Sequence, residues 1–220
     1  MCGRFTLTLE AADWQAAFGL EMEDAAWQPR FNIAPSQSIW VVTDAAGRRL
    51  EKMRWGLVPF WAKDPSVGSR MINARAETIM EKPSFRQAFA KRRCLILADG
   101  FFEWQKSKEK GKSAPFYFQL TDGGAFAFAG LWESWFSPHG EELRTCSIIT
   151  TQANAVVAPV HDRMPVILPR EMCWEWLQLQ QPQALHALLR PLPAERMRSQ
   201  PVSALVNSPA VDRAECVKPL

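Results

Sequence analysis

Ser38-Ile39-Trp40-Val41-Val42-Thr43 and Arg48-Arg49-Leu50-Glu51-Lys52-Met53-Arg54-Trp55 flank the turn Asp44-Ala45-Ala46-Gly47. Both flanks are rich in β-branched and aromatic residues, and the four residues between them carry a hairpin signature, so an antiparallel pair is expected here. The pattern recurs downstream. Pro115 to Thr121 and Ala125 to Trp132 flank Asp122-Gly123-Gly124 and predict a second hairpin. Cys94 to Ala98, Thr145 to Thr151 and Met164 to Leu168 are further apolar runs of strand length.

Helices are fewer and punctuate the strands. Thr8 is placed to cap a helix carrying Trp14 and Phe18, and Ser84 with Gln87 makes a capping-box pattern for a helix to about Arg92. Glu171 to Gln180 and Pro182 to Leu189 predict a late helical pair, and from about Ser199 the pattern is one strand and an irregular tail. The fold class expected is α+β, one domain over 1–220 built around a strongly bent antiparallel sheet or barrel with peripheral helices. A length of 220 residues with 47% hydrophobic content suits one core of that size.

Composition narrows the function classes. No run approaches the ~18 apolar residues of a membrane span, and Met1 to Phe5 is too polar to open a secretory signal. A soluble, cytoplasmic protein without a membrane partner is expected. The five cysteines (Cys2, Cys94, Cys146, Cys173, Cys216) are odd in number and widely spaced, without a C-x-x-C pair, so neither a disulfide framework nor a metal site is suggested. The net charge of +3 is small but uneven. Residues 10 to 28 hold Glu10, Asp13, Glu21, Glu23 and Asp24 with no Lys or Arg, whereas residues 86 to 112 hold eight Lys/Arg against three Asp/Glu. That asymmetry can build a positive face for phosphates, although the run Lys106 to Lys112 also reads as a solvated hairpin loop.

Cys2 is the most informative single residue. Removal of Met1 would put a thiol and a free α-amine on one carbon skeleton, with reference pKa values of ~8.5 and ~8. An aldehyde condenses with the amine to an imine, and the adjacent thiol closes a five-membered thiazolidine. The competing reading of Cys2 is a small apolar residue at the start of a first strand.

Four segments carry more chemistry than a core requires: Trp55-Gly56-Leu57-Val58-Pro59-Phe60-Trp61, Ile72-Asn73-Ala74-Arg75-Ala76-Glu77-Thr78, Asp99-Gly100-Phe101-Phe102-Glu103-Trp104 and Pro159-Val160-His161-Asp162-Arg163-Met164-Pro165. Glu103, a carboxyl among aromatics, reads as a proton-transfer group with a raised pKa or as a surface ion-pair partner. His161 reads as a proton exchanger or as a loop histidine bonded to backbone. Asn73 reads as a holder of the Cys2 amine or the substrate, or as a turn-stabilising amide. Arg75 and Arg163 each lie two residues from one of these groups and suit phosphates; Arg4 and Arg86 would extend that track, and each also reads as a structural ion pair.

With Cys2-Gly3-Arg4-Phe5 at the start, then Phe31-Asn32-Ile33-Ala34-Pro35 and Arg93-Cys94-Leu95-Ile96, these motifs occur in an order that resembles the SOS-response-associated peptidase (SRAP) family over almost the whole chain. Leu97 stands where that family often has proline, and Phe102 where it has tyrosine. The resemblance implies a barrel-like β core, a groove for single-stranded DNA, and covalent capture of abasic sites. It implies catalytic roles for Cys2, Asn73, Glu103 and His161, and DNA contacts for Arg4, Asn32, Pro35, Trp61, Arg75, Arg86, Thr150 and Arg163. Trp61, with Pro35, would stack beside the base next to the lesion. No cofactor is implied, and a monomer, nucleoid-associated when bound to damaged DNA, is expected. Two other readings stay open: a cysteine peptidase using Cys2 and His161, and a non-covalent DNA-binding module in which Cys2 is structural. A lyase side reaction through the imine also fits the chemistry.

Overall fold

A computed structural model of the chain describes residues 2–20, 27–44, 47–106 and 113–220. In chain order its elements are β1 (Phe5–Leu7), α1 (Ala11–Phe18), β2 (Arg30–Ile33), β3 (Ser38–Val42), β4 (Leu50–Trp55), β5 (Asn73–Arg75), α2 (Arg86–Lys91), β6 (Arg93–Ala98), β7 (Gly100–Lys106), β8 (Ser113–Leu120), β9 (Phe126–Phe136), β10 (Glu142–Gln152), β11 (Arg163–Pro165), β12 (Ile167–Leu168), α3 (Arg170–Gln178), α4 (Pro182–Ala187) and β13 (Met197–Pro201).

The first hairpin forms as its sequence requires, with Ser38 opposite Arg54 and Val42 opposite Leu50. From it the sheet closes on itself. β3 also pairs β6, β6 pairs β9, β9 pairs β10, and β10 returns to β4 through Thr145–Arg54 and Cys146–Trp55. The result is a five-stranded barrel whose interior takes Ile39, Val41, Met53, Ile96, Phe128 and Ile148 out of water. The expected barrel-like core of a mainly antiparallel sheet in an α+β domain is what forms, with parallel pairing only where the barrel closes and between β10 and β5. Gly130 lets β9 and β6 approach: a Cβ there would lie 2.7 Å from Cys94 Sγ and 2.9 Å from Ile96 Cδ1.

The second expected hairpin does not form. β8 pairs β7 and β13, while β9 pairs β6, β10 and β12, so Asp122-Gly123-Gly124 carries the chain from one sheet to the other. The local turn signal is real, with Gly123 at φ +70°, but both edges of each strand are taken by other partners. β8 instead forms a hairpin with β7, with pairing up to Lys106 and Ser113; the lysine run between them lies outside the described residues, as do Glu21, Glu23 and Asp24.

β13, β8, β7, β1 and β2, in that order, form the second sheet. Phe5 locks it to the barrel, its ring meeting Trp55 at 5.2 Å and Phe128 at 5.7 Å, both edge-on. Asp99, between β6 and β7, ties the same strand down: its carboxylate accepts from Thr6 Oγ1 (2.5 Å), Thr8 Oγ1 (2.9 Å), the Leu9 amide (2.9 Å) and the Thr8 amide. Thr8 is therefore not the cap of α1. Glu10 occupies that position, and the Asp13 side chain accepts its amide at 3.2 Å. Ser84 likewise does not cap α2, whose N-cap is Phe85.

Arg93 is 5% exposed, and its guanidinium donates to Phe89 O and Ala90 O at the end of α2 and to Trp176 O, Leu177 O and Leu179 O at the end of α3. One planar cation thus satisfies the orphan carbonyls of two helices and the negative ends of their dipoles. Lysine keeps the charge but lacks the fork. Arg93→Lys is expected to lower stability by about 2 kcal/mol in urea denaturation.

Among the described residues no helix is long and apolar enough to cross a membrane.

Candidate functional site

Cys2 precedes β1 and is fully buried in the chain that carries Met1. Asn73, the first residue of β5, donates from Nδ2 to Cys2 O at 2.8 Å. β1 pairs β7 with Phe5 opposite Phe101, and the Phe102 amide donates to Arg4 O at 2.9 Å; the same register puts Glu103 opposite Gly3. The segment Gly100 to Trp104 is part of strand β7, and that strand delivers its carboxyl beside the N-terminal residues. β5 is delivered from the other side, through Ile148–Asn73 and Thr150–Arg75 pairing with β10.

The histidine arrives by a third route. The loop from 153 to 162 leaves β10 and returns as β11, with Gln152 opposite Arg163. Gln105 Nε2 on β7 donates to Pro159 O at 3.0 Å and ties this loop to the strand that holds Glu103. His161 is partly buried, and its Nδ1 accepts the Arg163 amide at 3.0 Å. Asn73, Glu103 and His161, 88 residues apart at the extremes in sequence, are thus held by strands that converge on one end of the molecule.

Electrostatics distinguish their roles. Glu103 is 3% exposed, and burial pushes its carboxyl up to about 7, helped by the negative charge of Asp162. Burial also moves His161 below the ordinary histidine range, with Lys106 acting in the same direction and Asp162 opposing. At neutral pH the imidazole is neutral, and the carboxyl is poised to take or give a proton. Burial, followed by the charge of Glu103, pushes the Cys2 thiol well above the usual thiol range. The expectation from reference values, that a useful fraction of the Cys2 thiol is ionised near pH 7, therefore does not hold in this state: desolvation outweighs it.

The residues expected to contact DNA divide into two groups. Arg75 and Arg86 are exposed, Trp61 is 54% exposed beside Phe60, and Pro35 is half-buried. The loop bearing Trp61 is rooted through Gly56 N to Cys146 O (2.8 Å), Val58 N to Thr145 Oγ1 (2.9 Å) and Trp135 Nε1 to Ala62 O (2.7 Å). Gly56 is required at its base, since at φ +129° a Cβ would lie 2.7 Å from Gly68 O. A rigid root with an apolar tip is what a stacking platform needs.

Asn32 and Arg4 are both engaged inside the fold. Asn32 is fully buried, and its Nδ2 donates to Ser208 O at 3.0 Å and Val211 O at 2.6 Å. Arg4 Nη1 donates to Asn32 Oδ1 at 2.7 Å and Val206 O at 2.6 Å. Together they strap the C-terminal segment across Phe102 and Tyr117. A direct DNA contact from Asn32 is excluded by its burial; sequence could not reveal this, because its partners lie about 175 positions away. Thr150 is also buried, and Arg163 holds its carbonyl and Glu77. Glu77 was in plain view in the Asn-Ala-Arg-Ala-Glu-Thr motif but gave no local sign of its partner.

Comparison with known proteins bears on the family and the fold. A family model described as SOS response associated peptidase (SRAP) matches residues 1–209. The "Abasic site processing protein YoqW" of Bacillus subtilis is 46% identical over 223 residues, covering 99% of each chain. The "Abasic site processing protein HMCES" of Rattus norvegicus is 33% identical over 80% of this chain, which spans 58% of that relative's length. A crystal structure of a protein from Bacteroides thetaiotaomicron superposes with a TM-score of 0.89 at 27% identity over 100% of both chains.

Proposed function

The chain belongs to the SOS response associated peptidase (SRAP) family, and on that footing we propose that it captures abasic sites in single-stranded DNA through the α-amine and thiol of Cys2 after loss of Met1. Relatives named as abasic site processing proteins support the substrate class. The observation that carries the chemistry is the placement of Cys2 against Asn73, on a strand whose register sets Glu103, with its carboxyl at about 7, opposite Gly3.

The abasic sugar is mostly a closed hemiacetal. Glu103 moves the proton that opens it, releasing the ring oxygen as a hydroxyl and the C1 carbon as an aldehyde. The Cys2 amine adds to that carbon, a hydroxyl leaves as water, and an imine remains. The Cys2 sulfur then adds to the imine carbon while the thiol proton passes to nitrogen, closing the thiazolidine. The net loss is one water. The amine leads and the sulfur follows, since the sulfur needs the imine carbon to attack, with Glu103 or His161 relaying the proton. Asn73 holds the Cys2 carbonyl, so both nucleophiles start from one orientation. A peptidase nucleophile would need its thiol pKa brought down, whereas in the chain that still carries Met1 burial pushes it up. DNA is bound by Arg75 and Arg86 on phosphates and by Trp61 with Pro35 on a base, while Arg163 is held by Glu77 and Thr150 O.

Intact mass after incubation with a single-stranded oligonucleotide carrying one abasic site tests the proposal. Wild type should gain the oligonucleotide mass less one water, without added reductant, and Cys2→Ala should gain nothing. A wild-type protein that has lost Met1 and forms no adduct would sink it. In the non-reacting Cys2→Ala background, Trp61→Ala is expected to weaken single-stranded DNA binding by about 1 to 3 kcal/mol, read by fluorescence anisotropy at fixed salt.

A further inference from the structure

Arg163 is 12% exposed, and its guanidinium is engaged on two sides. Nη1 and Nη2 donate to the two carboxylate oxygens of Glu77 at 2.8 and 3.0 Å, and Nη2 also donates to Thr150 O at 2.6 Å. Glu77 sits in the short turn Ala76–Thr78 directly after β5, and His186 Nε2 holds that turn from behind through Ala76 O at 3.1 Å. The bidentate pair therefore clamps β11 to the segment that carries Asn73, across the end of β10.

The clamp bears on His161. Two groups approach the same ring nitrogen: the Arg163 amide donates to Nδ1 at 3.0 Å, and Asp162 Oδ1 lies 2.9 Å from it. These demand opposite tautomers. An N–H donor requires a bare Nδ1 and leaves the ring proton on Nε2, whereas a carboxylate would draw that proton to Nδ1. Asp162 is 87% exposed and held weakly against water, so the position of the Arg163 backbone decides the outcome. That backbone is held by the β11–β10 pairing at Gln152 and by Ala153 N donating to Asp162 O at 3.1 Å, and its side chain in Glu77 and Thr150 O adds the third tether.

We propose that Glu77 is a positioning residue for the capture reaction: through Arg163 it keeps the Arg163 amide on His161 Nδ1 and so holds the imidazole as the Nε2–H tautomer. The inference rests on the proposed capture function. Glu77 also sets a negative charge between Arg75 and Arg163, on the surface assigned to phosphates, and that charge opposes binding. A carboxylate beside a phosphate track makes sense through the reaction step, which it serves, rather than through affinity, which it lowers.

Glu77→Gln separates these effects. On Cys2→Ala protein, affinity for undamaged single-stranded DNA should rise about threefold or more at low salt, because a negative charge leaves the track. On protein with Cys2 intact, the single-turnover rate of adduct formation at saturating abasic DNA should fall about tenfold. Nitrogen-15 spectra of the imidazole should show the Nε2–H form in wild type and a mixture containing Nδ1–H in Glu77→Gln. Glu77→Asp keeps the charge but shortens the reach, so its affinity should match wild type while its rate falls. A merely destabilised protein would lose affinity and rate together. If wild type forms adduct while Glu77→Gln keeps both its rate and its Nε2–H signal, the positioning role is overturned. The tautomer readout requires no adduct, so failure of capture itself would be seen separately, in wild type.

Discussion

Glu103→Gln is expected to slow adduct formation by about 10²- to 10⁴-fold and, in the same protein, to raise stability above neutral pH. The carboxyl titrates at about 7 in the fold against 4.5 when unperturbed. Burial therefore penalises its ionised form, and a raised folded pKa means that stability is fully present below pH 4.5 and declines as pH rises toward 7. Two and a half pH units at 1.36 kcal/mol each make that decline about 3 kcal/mol at pH 8. Glutamine has no charge to desolvate and escapes it. Urea denaturation of both proteins at pH 4.5 and pH 8 should give similar stabilities at the first and a gain for the variant at the second. Parallel curves across that range would show that Glu103 is not a buried carboxyl with a raised pKa. The wild-type adduct rate should also change across pH 6 to 8, as Glu103 passes through its titration. Lost reactivity with gained stability is the signature of a group kept in an unfavourable environment for its chemistry.

Extending the chain by Gly-Ser ahead of Cys2, so that no free α-amine remains on that residue, should abolish the adduct completely. The thiol is still present in such a chain, but it is protonated and has no imine to attack. Non-covalent binding to single-stranded DNA should persist, since Arg75, Arg86 and Trp61 lie on exposed segments of their own. Cys2→Ser completes the comparison: its amine can still form an imine, so it should yield an adduct only when borohydride is added, or cleaved strands if elimination follows. An extended chain that still acquires the oligonucleotide mass would show that sulfur acts without the amine, and the capture mechanism proposed above would have to be replaced.

Local physics was legible in the residues. Two β-branched and aromatic flanks around a four-residue turn defined the first hairpin, the apolar run Cys94 to Ala98 marked β6, and the β-branched stretch Thr145 to Thr151 marked β10. The aminothiol chemistry of Cys2 was also readable, because it depends on covalent structure alone. Strand partnership was not. Asp122-Gly123-Gly124 has the chemistry of a hairpin turn, yet β8 and β9 belong to different sheets, since pairing is settled by burial against β6, β7, β10 and β13. Nor could any window of sequence show that Asn32 is sealed under the C-terminal strap, or that Arg163 lies in the grip of Glu77, 86 positions away. A turn or an amphipathic strand is set by interactions over a few residues; barrel closure, the pKa values at the site and the partner of an arginine depend on which distant groups exclude water, and only the folded chain decides that.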